Sequence, residues 1–209
     1  MIQKFLQAKH WQLFGFTIGI PLLFQVFFIS SMVSAGDQFD EEIFMRFIVF
    51  IPIVSILFLM VFYGWMWSVG VGLQEKLPQD LKMNVKLFKW AIIFPLIYMV
   101  LIFGALGLAV GNGLDQIEQN IDWVESALIF IVPMHLFSVF CAFYQLYFVS
   151  KTIKTTELRR EVVFSDYIGE FFLVWFYPIG IWFIQPKINE IAQADYLGEE
   201  DDDYTKHIL

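Results

Sequence analysis

The sequence predicts an all-α membrane protein with four transmembrane helices and a short re-entrant or interfacial fifth hydrophobic element. Three observations predict it. Residues 11–34, 43–73, 90–111 and 124–149 form apolar stretches, each above the roughly 20 residues that cross ~30 Å of hydrocarbon. The loops between them alternate in charge. The composition, 58% hydrophobic with 25 Phe in 209 residues, carries more apolar surface than a soluble domain can hide.

The spans are helices because backbone groups in lipid must be satisfied within the segment. The short alternating segments of a membrane β-barrel do not occur in the sequence. The first span follows Lys4 and Lys9, and Val33-Ser34-Ala35 resembles a signal-peptidase site. Its apolar run exceeds the usual 7–15 residues of a signal peptide, which favours an uncleaved span.

The first loop, 35–42, has Asp37, Asp40, Glu41 and Glu42 and no Lys or Arg. The second, 74–89, has Lys76, Lys82, Lys86 and Lys89. The third, 112–125, is again acidic, with Asp115, Glu118, Asp122 and Glu125. The fourth, 150–170, has Lys151, Lys154, Arg159 and Arg160. Basic residues are retained on the cytoplasmic side, so this pattern predicts a cytoplasmic N-terminus. Trp11, Trp65, Trp67 and Trp90 then fall at the inner interface and Trp123 at the outer one, while Arg46 snorkels outward.

Residues 171–184 are the fifth apolar segment, within a fifth element spanning 168–190. Fourteen residues is short for a span. Pro178 lacks a backbone donor and Gly180 permits a turn, so residues 177–180 are the expected tip of a re-entrant hairpin. With that hairpin, 12 of the 13 Lys and Arg residues are cytoplasmic and so is the C-terminus. Residues 1–193 form one membrane bundle in this reading. Residues 194–209 form an acidic tail expected to be disordered.

The basic groups Lys76, Lys82, Lys86, Lys89, Lys151, Lys154, Arg159 and Arg160 are candidates for contact with anionic lipid or a partner. The stretch after Pro78 reads as a surface helix, with Leu81, Val85 and Phe88 on one face and Lys82, Lys86 and Lys89 beside it. Gly107 and Gly111 form a GxxxG suited to close helix packing, within the protein rather than as a dimer seam. His135, after Pro133, is an intramembrane polar candidate with Gln25 and Gln145 as neighbours. No span places an Asp or Glu near mid-membrane, so packing outweighs a proton relay. Ser165 reads as an N-cap with Asp166 and Glu170 in the first turns beyond it.

Enzymatic chemistry lacks an inventory. HExxH, GxSxG and a Gly-rich phosphate loop with Lys do not occur. Cys141 is alone, so neither a disulfide framework nor a CxxC site is expected, and no metal or cofactor. The net charge of −8 gives nucleic-acid binding no support. No loop exceeds about 21 residues, too short for a soluble catalytic module.

The run from Glu170 to Asn189, containing WFxPIGIWFIQPKIN, resembles the C-terminal signature of small multi-pass membrane proteins of Bacteroidota. Residues 151–161 and 164–169 extend the resemblance over roughly the last third of the chain. It implies a bacterial inner-membrane location and carries no assigned activity. The expected function is a non-enzymatic integral subunit or accessory protein with a basic cytoplasmic face. Its partners are membrane lipid and a membrane protein or a second copy. The alternative is a small channel or transporter, oligomeric in form, with the broken fifth element lining a cavity.

Overall fold

The computed structural model describes residues 1–36, 41–77, 79–111 and 121–206, and their side chains except at 35, 41–50, 52, 106, 108–111, 121–127 and 195–206. The expectations placed on the acidic outer loops, Arg46, Pro78, Trp123 and the packing of Gly111 lie outside the described residues.

Helix follows helix, and no strand occurs among the described residues. In order these are α1 (Ile2–Leu6), α2 (His10–Phe14), a π-helical turn (Gly15–Gly19), α3 (Ile20–Ala35), α4 (Glu41–Glu75), a 3-10 turn (Gln79–Leu81), α5 (Val85–Gly111), α6 (Ile121–Leu158), α7 (Phe164–Trp175) and α8 (Tyr177–Lys206). Four segments are long and apolar enough to cross a membrane: His10–Ser34, Ile53–Glu75, Val85–Ala105 and Leu128–Leu158. The chain is an all-α membrane protein.

The π turn in the first span has a local cause. Pro21 offers no N–H to the carbonyl of Thr17, and its ring crowds that carbonyl. Widening the preceding turn relieves the clash. The Thr17 hydroxyl meanwhile donates to Leu13 O at 2.8 Å.

Three local expectations are corrected. The surface helix after Pro78 is absent: Leu81 ends a 3-10 turn, Lys82 is non-helical, and Val85, Lys86 and Lys89 open the third long helix. Asn84 sets that start by accepting the Leu87 N–H at 3.2 Å, as an N-cap does. Val163, not Ser165, precedes α7. The capping carboxylate is Asp166, which accepts the Val163 N–H at 3.0 Å. The backbone of α8 also runs as helix through Lys206, into the acidic segment expected to be disordered. Extending an anchored helix needs no new nucleus.

The chain divides into two compact units, Met1–Lys82 with Val149–Leu209, and Met83–Phe148. In the first, α1 packs on α4, α2 on α8, and α7 on α8. Its core holds Trp65, Met66, Leu73, Ile153, Ile181 and Ile188. In the second, α5 pairs with the first part of α6. Phe88 stacks on Phe148, Phe94 meets Phe137, and the Tyr98 hydroxyl reaches Ile131 O at 3.4 Å. One helix rises as the other falls, so the pair is antiparallel.

Candidate functional site

The fifth element is a helical hairpin. The helix breaks at Phe176, with φ −89 and ψ 52, and α8 begins at the next residue. A continuous helix would hold Glu170 and Lys187 about 26 Å apart at ~1.5 Å per residue. Instead Lys187 Nζ lies 2.8 Å from Glu170 Oε1, so the chain folds back. The roles of the tip residues differ from expectation. Pro178 occupies the second position of α8, where its missing donor costs nothing. Gly180 is not a turn residue: a Cβ there would land on the carbonyl of Leu173. It is the notch that lets α8 cross α7.

The second arm carries Gln185 and Asn189, one helical turn apart on one face. Gln185 Nε2 donates to Phe5 O at 2.9 Å and Ala8 O at 2.8 Å. Asn189 Nδ2 donates to Leu6 O at 2.9 Å and Ala8 O at 3.2 Å. These carbonyls lie in the last turn of α1 and just beyond it, where helix ends leave acceptor capacity free, so α8 caps α1. Gln185 Oε1 accepts the buried Trp65 indole N–H at 2.7 Å, which ties α4 into the same knot. Trp65 is therefore core, not the interfacial residue expected. Gly64 and Gly72 leave room on α4 for Phe5 and for Ile2 and Leu6. Trp182 closes the far side against His10 at 4.7 Å and Phe14 at 5.4 Å. Trp175, on the first arm, is exposed and stacks on Phe172.

Next to this cradle is a closed ring of alternating charge. Lys154 meets Glu157 at 3.0 Å and Glu170 at 3.3 Å, and Lys187 meets Glu157 at 3.1 Å and Glu170 at 2.8 Å. Burial pushes the Glu170 carboxyl up, but the hydrogen bond from Lys187 and the two lysine charges hold it below the usual carboxylate range. Burial depresses Lys187, and its bonds to Glu170 and Glu157 raise it above its ordinary value. Deeper in the unit, Gln74 Nε2 donates to Thr152 Oγ1 at 2.9 Å, and Lys76 Nζ reaches Ala192 O at 3.2 Å.

Such a ring is a poor catalyst. A general base needs a pKa near the working pH and a nucleophilic lysine a depressed one, and both shifts here run the other way. What the arrangement does is join α6, α7 and α8, while the cradle beside it joins α1, α4 and α8.

The other candidates disperse. Arg160 pairs with Asp166 at 3.1 Å. Arg159 sits in the left-handed region, φ 52, as α6 ends, and its N–H bonds Thr155 O at 2.8 Å. Lys151 is half-buried, Lys82 is exposed in the first unit, and Lys86 is exposed and Lys89 half-buried in the second. Gln145 is buried and donates to Ala91 O at 2.7 Å. His135 is exposed, with Tyr98 at 6.1 Å between ring centroids. Ten residues of helix, about 15 Å, separate it from Gln145, so no His135–Gln145 site forms. Gln25 is exposed and belongs to the other unit. Gly107 faces open space, so the described residues place no helix against it.

Sequence reasoning missed Trp65, Glu157, Lys187, Gln185 and Asn189. The last two were findable: polar residues four apart at the end of an apolar run mark one polar helix face. Among the described residues no group of three His, Cys, Asp or Glu side chains could hold a metal. In comparison with known proteins, no family model matches the chain, and no curated protein or solved structure matches it.

Proposed function

We propose that the protein is a non-enzymatic integral subunit or accessory protein of a bacterial inner membrane, with both termini cytoplasmic and α7–α8 as a shallow re-entrant hairpin. One observation carries this reading. The polar side chains of the 170–189 signature bind the protein's own N-terminal helix and inner helix ends, while the membrane-length helices expose apolar side chains such as Leu23, Val33, Phe103 and Phe130. The polar chemistry serves assembly, and the free surface suits lipid and a membrane partner.

The topology has its own support. Leu6 O touches Asn189, Gln74 touches Thr152, and Lys76 touches Ala192. The start of the chain, the end of the second span, the end of the fourth and the last helix thus meet at one end of the first unit. That end carries basic residues, which are retained inside. The hairpin arms from Phe176 to Glu170 and to Lys187 are roughly 9 Å and 16 Å long at 1.5 Å per residue. Neither covers ~30 Å of hydrocarbon.

Two experiments test the proposal. An alkaline-phosphatase fusion at Leu209 stays inactive if the C-terminus is cytoplasmic, and activity overturns the topology. The full-length protein reconstituted in vesicles should leave ion and proton gradients intact. A flux that depends on the protein overturns the subunit reading in favour of a channel or transporter.

A further inference from the structure

The second unit contains a groove that the assembly at the first unit's polar end does not use. Its volume is about 330 Å³. One wall is Leu87, Trp90, Ala91 and Phe94 of α5. The other is Phe137, Phe140, Cys141 and Tyr144 of α6. Both sets follow i, i+3, i+4, i+7, so each is one continuous helix face. Seven residues at 1.5 Å make the groove about 10 Å long. Stacking of Phe88 on Phe148 at 4.2 Å and the Gln145–Ala91 bond fix the helix spacing at one end.

That end is chemically distinct. Lys86 is exposed and lies one turn from Trp90 on the same face of α5. Trp90 is 69% exposed. Trp90 and Tyr144 are amphipathic side chains of the kind that sit at headgroup level. The opposite end, at Phe94 and Phe137, is apolar. The groove wall is therefore hydrocarbon-like along its length, and the exposed Lys86 stands one turn beyond its Trp90 end.

We infer that this groove is a binding site for one anionic phospholipid, with an acyl chain along the Phe94–Phe137 cleft and the headgroup against Lys86 beside Trp90 and Tyr144. The inference rests on the membrane reading above. Charge complementarity selects the occupant. A neutral lipid leaves Lys86 without an anion at the surface, and a partner's apolar helix does the same. An anionic lipid satisfies both halves of the site.

The test uses the full-length protein in phosphatidylcholine nanodiscs doped with phosphatidylglycerol brominated on its acyl chains. Bromine quenches tryptophan on contact, and subtracting the Trp90→Phe variant isolates the signal of Trp90. Quenching should saturate at a low phosphatidylglycerol fraction and be several-fold weaker with brominated phosphatidylcholine at the same fraction. Lys86→Gln should weaken the preference about five-fold, the effect of one lysine near a charged leaflet. Cys141→Phe, which fills the groove wall, should abolish saturation for both lipids. If that variant melts early, the Lys86→Gln result still decides. Equal quenching by the two lipids overturns the site, as does protection of Trp90 that tracks protein concentration instead of lipid charge, which would mark a contact between copies. Carbonate-resistant membrane insertion without lipid preference refutes the groove alone. Failure to insert refutes the membrane reading as well.

Discussion

The bond between Trp65 and Gln185 offers the sharpest test of how α8 holds the N-terminus. Replacing Gln185 with Leu removes one acceptor and two donors, but the losses are unequal. Phe5 O still receives the Ala8 N–H at 3.3 Å. Ala8 O still receives Asn189 Nδ2 at 3.2 Å. The Trp65 indole N–H, in a fully buried ring, has only its 2.7 Å bond to Gln185 to lose. Orphaning a buried donor costs ~1–3 kcal/mol. If α1 opens as a local unit, that equals roughly a 5- to 150-fold rise in its open population. Hydrogen exchange of the segment 1–9, followed by mass spectrometry in nanodiscs, reads this directly. Trp65→Phe removes the donor and adds its own packing loss, so the decisive number is the coupling. In the Trp65→Phe background, Gln185→Leu should accelerate exchange much less than in the natural protein. Equal acceleration in both backgrounds, or none in either, would refute the claim that this bond anchors α1.

Four further outcomes are expected. Gly180→Ala forces a Cβ into the Leu173 backbone and should open the hairpin, lowering the melting temperature and separating probes at Glu170 and Lys187. Gly107→Ala, facing open space, should be neutral or stabilising by up to ~1 kcal/mol through helix propensity. The charge ring should set a pH window: Glu170 is held low, so its contribution is present above its ordinary carboxylate value and lost as pH falls through the lowered one. Lys187 is held high, so its contribution is lost only as pH rises past the raised lysine value. Exchange of α7–α8 amides against pH checks both limbs, and Glu170→Gln should flatten the acid limb. His135→Gln should change stability by no more than ~0.5 kcal/mol, because the side chain is exposed. A larger loss in a thermal melt would mean that His135 carries a bond the fold needs.

The sequence by itself determined the class of this protein. Span length against hydrocarbon thickness is a local property, and an apolar stretch must become a helix whatever it packs against, because lipid offers the backbone no partner. The short fifth segment was legible for the same reason, since fourteen apolar residues between Glu170 and Gln185 fall short of a span. Tertiary structure decided what the polar residues do. Gln185 meets Phe5 across 180 positions and Trp65 across 120, and no periodicity along the chain encodes such a pairing. Lys154 read as a headgroup cation until the fold set Glu157 and Glu170 against it and against Lys187. Gly180 read as a turn and proved a notch, because whether a glycine bends a chain or admits a neighbour depends on what lies within 4 Å of it. Helix formation is settled by each residue's solvent and near neighbours along the chain, but the pairing of buried charges and amides is settled only when distant segments meet.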